Sequence, residues 1–568
     1  MNTILGISAS GGMGIGKAFI LPKEQERSIP HREIQEQEIA HEWKRFDDAC
    51  SVVQGKISDY LKTISPDNLQ HTILETYLLM LSDPVFIKEV KQSLEKSKQN
   101  LEYVLDLKVK EYTERLRNSG NEYLSERASD IEDVFGRVQD FLLGYHKFNY
   151  EEIPEGAIVV ADSMKAGDTV ILFKRNIEGL ALTEGGVSSH VAILAKSYGI
   201  PAVVGLEGIT NLVTQNESLI IDGTAGEVIL SPDNTTLRQY QIKIAAEEKY
   251  IQALKKFRSK KAITEDGTEF KLYANIGTPE EAQIALDEGA DGIGLFRTEF
   301  LFMRTLQKQF DQNMELSSKQ SEDLQFEAYK QVLSTMGERP VTIRTLDAGG
   351  DKLIDSVDMP TLMEKNPLMG LRAIRQSLFY PRVFRTQLRA LYRASVYGNL
   401  RIMLPLITDV SQVETVLGIA RGVRESLRSE GIPIKEDVPI GIMIETAAAA
   451  ICSDCLAPHS AFFSLGTNDL TQYIIGIDRE NPAVAPFYNE FHLAVLRMIK
   501  LTIANAHKAG IPISVCGEMA GRKESAIILA GMGIRALSMT PKQIPIIKET
   551  LSQFTIQELE NISSRSIA

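Results

Sequence analysis

Four cysteines and a single tryptophan are what this 568-residue chain has least of, and its aromatic content is only 7%. Cys50, Cys452, Cys455 and Cys516 are too few for so long a chain to rely on a disulfide scaffold. Basic residues are also in deficit: 62 Lys plus Arg stand against 75 Asp plus Glu, a net charge of −13. That balance removes any general attraction to DNA or to an anionic lipid surface. No run approaches the roughly 18 uninterrupted apolar residues that a membrane-spanning helix needs. The opening segment MNTILGISASGGMG lacks a basic stretch followed by an apolar one, so no secretory signal is read there. The expectation is a cytoplasmic enzyme. At about 150 residues per domain, the length predicts three or four folding units.

What is present changes character along the chain. Residues 1–23 read as short strands with Gly-rich turns, and residues 24–145 as long helical patterns with few glycines. In LQHTILETYLLMLSDPVFIKEVKQSLEK, Ser82-Asp83-Pro84 predicts a break between two helices. From about residue 146 to 231, glycines return with short apolar runs (AIVVA, TVILF, GLALT, AVVG, SLIID, EVIL), which predict strands alternating with helices. The helical block thus reads as an insert in an α/β domain. Residues 232–261 are helical and highly charged, as expected of a connector.

Residues 262–568 have a different rhythm. Eight strand-like runs (KLYANIG, GIGLFRTEF, VTIRTLDAGG, LRIMLPLIT, PIGIMIET, FFSLGTNDL, PISVCGEMA, RALSM) are separated by helical patterns, which predicts a (β/α)8 TIM-type barrel. Asn275, Arg297, Arg344, Glu445, Asn468, Asp469 and Cys516 fall at the carboxyl ends of these runs, the face on which barrels build their chemistry. Arg297 and Arg344 offer planar donors suited to phosphate and carboxylate oxygens. Glu445 and Asp469 are hard oxygen ligands of the kind that hold Mg²⁺. Asn468 adds an amide, and Arg479, ten residues past Asp469, could reach the same place. The implied ligand is a small phosphate-bearing anion bound with a divalent metal. Cys516, beside Gly517 and Glu518, reads as a buried small side chain or as a proton donor. Cys452 and Cys455 have no second pair with which to hold zinc, and read as helix-packing thiols.

In LTEGGVSSHVAILAKSYGIPAVVG, Gly185 and Gly186 permit a turn and Ser188 or Ser189 can cap a helix starting near His190. A histidine in a first helical turn meets free N–H groups and the positive end of the dipole, which favour an anion. Its neutral imidazole can attack phosphorus to give a phosphoramidate. By contrast GGMGIG at 11–16 lacks the βαβ setting of a dinucleotide loop.

These segments resemble enzyme I of the bacterial phosphotransferase system, the phosphoenolpyruvate–protein phosphotransferase family. GISASGGMGIGKA is similar to the family's opening, GGVSSHVAILAKSYGIPAVVG to its phosphohistidine signature, and GADGIGLFRTEFLFM, RTLDAGGDK, NPLMGLRAIR, LRIMLPLI, FFSLGTNDLTQYIIGIDRENPAV and VCGEMAG follow in family order. The resemblance implies phosphoenolpyruvate (PEP) bound in the barrel with Mg²⁺ on Glu445 and Asp469, and contacted by Arg297, Arg344, Asn468, Asp469 and Arg479. His190 would take the phosphoryl group, Cys516 would protonate the enolate, and phospho-His190 would pass the group to a histidine of the carrier protein HPr. Residues 1–23 and 146–231 would form the swivelling phosphohistidine domain, 24–145 the HPr-docking insert, 232–261 the linker, and 262–568 the PEP-binding and homodimerisation barrel. Val187 and Ser188 stand where the family usually has Arg and Thr, ETAAAA replaces ETPAAA, and YNEFHLAVL lacks prolines common in that loop. A pyruvate phosphate dikinase or PEP synthase relative would need an ATP-grasp domain, for which residues 1–150 offer no room. A catalytically silent PEP sensor would not need both His190 and Cys516, and a nitrogen-type enzyme I would carry an extra sensory domain.

Overall fold

The computed structural model describes the chain except residues 1, 23–28, 62–73, 75–76, 79, 118–121, 145–149, 165–167, 170–171, 174, 186–189, 300, 303–317, 349–365, 480, 482 and 568. It divides into two compact units, Met1–Tyr250 and Ile251–Ala568.

The first unit is built on eight strands: β1 Asn2–Leu5, β2 Ile7–Ser10, β3 Met13–Ile20, β4 Ala157–Ala161, β5 Gly179–Leu182, β6 Ala202–Val204, β7 Ser218–Asp222 and β8 Glu227–Leu230. Their order across the sheet is β1-β8-β7-β3-β4-β5-β6-β2. The central run β3-β4-β5-β6 is parallel, with antiparallel strands on both sides. Alternation along β4 explains why the sheet is covered twice. Ala157, Val159 and Ala161 face one apolar cluster, while Ile158 and Val160 face another. GGMGIG is confirmed not to be a nucleotide loop, because it runs directly into β3. Gly14 there passes so close to the Glu178 carbonyl that a Cβ would collide with it.

The segment between β3 and its parallel neighbour β4 includes the helices α1 Ile39–Leu61, α2 Pro84–Ser97, α3 Leu101–Arg117 and α4 Glu122–Leu143. The predicted break is a cap. Asp83 accepts from the N–H groups of Val85 and Phe86, with Pro84 in the first helical position. Phe46, Phe86 and Phe135 of these helices share the cluster that covers one face of the sheet. Arg137 of α4 also reaches that body: its Nη2 lies 3.1 Å from Asp133 and 3.0 Å from Asp168, and the Tyr77 hydroxyl donates to Asp133 at 2.8 Å. One expectation fails here. The described residues of TVILF do not form a strand: residues 168, 169 and 172 are helical and the Phe173 N–H donates to the Thr169 carbonyl. A buried apolar run of five residues has no periodicity that separates strand from helical turn.

Helix α5, His190–Tyr198, occupies the segment expected to be helical, and Gly199 ends it with φ +68°. The charged stretch forms α6, Asn234–Arg258. Tyr240, near its start, packs on Ile220 and Ile229 of the first unit. In the second unit Arg258 pairs with Glu288, and Lys548 donates to the Arg258 and Gly289 carbonyls.

The second unit is a closed barrel of eight parallel strands: β10 Glu269–Ile276, β11 Ile293–Phe296, β12 Pro340–Arg344, β13 Asn399–Leu404, β14 Ile440–Ile444, β15 Phe463–Leu465, β16 Ile513–Val515 and β17 Ala536–Met539. They follow one another in order and β10 closes on both β17 and β11, while β9, Ala262–Ile263, pairs antiparallel with the start of β10. The (β/α)8 expectation is borne out strand for strand. Among the described residues no helix is long and apolar enough to cross a membrane.

Candidate active site

Except for Arg479, which comes after the helix Thr467–Ile475, each polar residue singled out in the barrel lies at or close to a strand's carboxyl end. Arg297 follows β11, Arg344 ends β12, Glu445 follows β14 and Cys516 follows β16. Asn468 and Asp469 stand in the first turn of the helix Thr467–Ile475, which begins one residue after β15 and its adjoining Gly466. Asn275, near the end of β10, is spent on the barrel itself. Its amide donates to the Cys516 and Ser538 carbonyls and accepts from the Ser538 hydroxyl at 2.6 Å.

The charges form an alternating ladder. Arg344 pairs with Glu299 at 2.7 Å and with Asp347 at 2.9 Å. Asp347 pairs with Arg372 at 2.9 Å; Arg372 lies 3.8 Å from Asp469, which lies 3.6 Å from Arg479. Burial opposes the charge on Arg344, yet Glu299, Asp347 and Glu445 hold its guanidinium well above the ordinary value. Arg297 differs: it is exposed, and among the described residues its guanidinium has no ion-pair partner.

Glu445 is buried, with its Oε1 accepting from the Leu406 N–H at 2.6 Å. Leu406 adopts φ +52°, a left-handed conformation that costs a leucine about 1–2 kcal/mol. Gly466 completes the seat, since a Cβ there would come within 2.9 Å of the Glu445 carboxylate. Burial, together with the carboxylates of Asp347 and Asp469, pushes Glu445 well above the usual carboxylate range. This is an excess of hard, mutually repelling oxygens that a divalent cation would relieve. Among the described residues no group of three or more His, Cys, Asp or Glu side chains forms a site that could hold a metal alone.

Cys516 belongs to an apolar floor with Leu295, Met403, Met443 and Phe462. Burial pushes its thiol up to about 11, with the Glu445 carboxylate adding and Arg344 and Arg297 opposing. The thiol therefore stays protonated at neutral pH. Asn468 donates to Glu518 Oε1 at 3.1 Å and accepts from the Glu518 N–H at 2.9 Å, which fixes its amide.

Asp347, Arg372, Glu299 and Leu406 were not singled out from sequence. Asp347 lies three residues after Arg344 in RTLDAGG, so its place beyond a strand end was the available signal. His190 is the first residue of α5, but its side chain lies outside the described residues, as do Val187 and Ser188 and both serines proposed as caps. The reading of Cys452 and Cys455 as packing thiols is corrected: both are exposed. They flank Ser453, and it is Ser453 that is buried. A three-residue spacing puts two side chains on one helical side without saying which side is covered.

Three families match. Residues 5–127 match the PEP-utilising enzyme N-terminal family, 153–226 its mobile domain and 252–556 its PEP-binding domain. The phosphoenolpyruvate-protein phosphotransferase of Bacillus subtilis (strain 168) is 36% identical over 100% of this chain and 97% of its own length. That of Priestia megaterium is 37% identical over 98% and 95%. A solution structure of Enzyme I (nEIt) is 32% identical over 43% of this chain and 99% of its own, with a TM-score of 0.39. With three PEP-utilising domains in series and full-length identity above a third, the chain belongs to the phosphoenolpyruvate–protein phosphotransferase family, enzymes of PEP-dependent phosphotransfer.

Proposed function

We propose that His190 takes the phosphoryl group of PEP and passes it to a histidine of HPr, the first step of the sugar phosphotransferase system, with release of pyruvate. The observation that carries the reading is the gathering of Arg344, Glu445, Asp469 and Cys516 at one end of a barrel whose family is PEP-binding.

Arg297 and Arg344 bind the phosphate and carboxylate of PEP, Arg344 from a fixed position and Arg297 from an exposed one. Asn468 and Arg479 orient the substrate from the rim, and Asp469 fixes Arg479 on that side. Glu445 and Asp469 would hold Mg²⁺, whose positive charge would offset the negative charge of the phosphoryl group. His190 Nε2 forms the new N–P bond as the bond from phosphorus to the enol oxygen breaks, and the electron pair stays on the enolate. Cys516 gives its proton to the enolate carbon, which makes pyruvate, and recovers a proton from solvent. Phospho-His190 then presents the group to HPr docked on the helical insert of residues 24–145. The phosphohistidine domain (1–23, 146–231) swivels on the linker at 232–261, and the barrel at 262–568 pairs two chains into a homodimer in the cytoplasm. Transfer by this route rests on position and charge neutralisation rather than on covalent help from the barrel.

The test is PEP labelled in its phosphoryl group, Mg²⁺ and purified HPr, with wild type and His190→Ala compared. Label reaches HPr only when His190 is present. Labelling of HPr by His190→Ala would overturn the proposal.

A further inference from the structure

The barrel carries a second pair of reactive side chains, on its surface and outside the ladder of charges. Cys452 ends the helix Ala447–Ile451, its N–H donating to the Ala448 carbonyl at 3.0 Å, and Cys455 lies in the next short helix, Ser453–Leu456. Both thiols are exposed, whereas Cys50 and Cys516 are buried. The Cys455 N–H donates to the Cys452 carbonyl at 3.0 Å, so the two residues are one tight turn apart. A turn closed by a hydrogen bond between residues three apart holds its end Cα atoms within about 7 Å of each other, which overlaps the Cα separations of roughly 4.4–6.8 Å that a disulfide spans. The turn is pinned from beneath: the Ser453 hydroxyl donates to the Ala450 carbonyl at 2.8 Å and accepts from the Asn505 amide at 2.9 Å. Asp454 pushes the Cys455 thiol up, and Cys452 adds to that push, so the two sulfurs lie within electrostatic reach.

We propose that Cys452 and Cys455 form a reversible dithiol–disulfide site, oxidised by low-molecular-weight disulfides of the glutathione type. The Cys452 thiolate attacks one sulfur of the external disulfide; that S–S bond breaks, and the departing thiolate takes a proton from water. The Cys455 thiol loses its proton to solvent and attacks the Cys452 sulfur of the mixed disulfide, expelling the second external thiolate, which is protonated in turn. Two cysteine thiols are oxidised, and one external disulfide is reduced to two thiols. Cys452 enters first because the carboxylate beside Cys455 disfavours its thiolate. A disulfide so exposed, closing so short a loop, belongs to the readily reduced class, which makes the site reversible.

The experiment uses the full-length reduced protein treated with glutathione disulfide at pH 8, quenched with acid, digested and weighed. The expected result is that the wild-type peptide holding both cysteines loses two hydrogens, retains no glutathione and regains its mass with dithiothreitol. Cys452→Ser and Cys455→Ser should each keep one glutathione on the remaining thiol, which shows that both positions react. A wild-type peptide that keeps glutathione, links to a second chain, or stays unmodified while the single variants react would overturn the site.

Discussion

Arg297 and Arg344 stand beside each other on neighbouring strands of the barrel, β11 and β12, yet they do different physical work. Arg344 is 11% exposed and counterbalances Glu299 and Asp347, so removing it takes the cation from Glu299 and leaves Asp347 to Arg372. Arg344→Met should destabilise the barrel by about 3–5 kcal/mol, the usual result of breaking a buried pair by removing one partner. Urea unfolding followed by circular dichroism would show it. Arg297→Met should leave the unfolding midpoint where it is and raise the KM for PEP, because Arg297 is exposed with no described ion-pair partner. If the two variants unfold alike, the assignment of separate roles fails. Cys516 gives a pH test. Its folded-state thiol titrates near 11 against an ordinary 9.0. Between those values the unfolded chain has released a proton that the folded chain still holds, so stability is full below about pH 9 and falls as pH rises toward 11. Cys516→Ala should flatten that fall in the barrel. Cys50, pushed up to about 12 by burial, adds a similar slope in the other unit and must be read separately.

Elements were legible where a local rule forces one outcome. Asp83-Pro84 could only start a helix, and HVAILAKSY followed by Gly199 could only be one helical segment. The eight strands of the barrel showed because each is a short apolar run set apart from the next by a helical pattern. What stayed hidden depends on neighbours distant in sequence. TVILF has no periodicity of its own, Cys452 and Cys455 face solvent because Ser453 takes the inward side, and Asp347 matters only because Arg344 and Arg372 both reach it. Arg137 is another such case, since nothing in helix α4 announces that Asp168, 31 residues on, is its partner. Burial opposes its charge, yet Asp133 and Asp168 hold it well above the ordinary range. Arg137→Met should therefore cost the first unit about 3–5 kcal/mol. Combined with Asp168→Asn, it should show a coupling of roughly 1–3 kcal/mol in a double-mutant cycle. Trp43, the single tryptophan and part of helix α1, supplies the fluorescence signal for that unit. Additive losses would mean that Arg137 does not tie the insert to the sheet.

At the scale of the whole chain, a net charge of −13 is compatible with an anionic substrate because the relevant charge is local. Arg297, Arg344, Arg372 and Arg479 gather at one end of the barrel, and Mg²⁺ would add to them. The same separation of scales predicts how ligand binding is felt. Each unit has hydrophobic clusters of its own among the described residues: one set serves the sheet and its helices, and another the barrel. A ligand that binds only the folded barrel stabilises it by RT ln(1 + [L]/Kd), about 2.7 kcal/mol at a hundredfold excess over Kd. His190→Ala keeps PEP from being consumed, so with Mg²⁺ and PEP present the barrel's calorimetric transition should move to higher temperature. Trp43 fluorescence reports the first unit and should melt where it did before. If PEP with Mg²⁺ shifts the Trp43 transition by the same amount, the two units unfold as one and the independence of the histidine-bearing unit is wrong. If neither transition moves, Arg344, Glu445 and Asp469 do not form the PEP site.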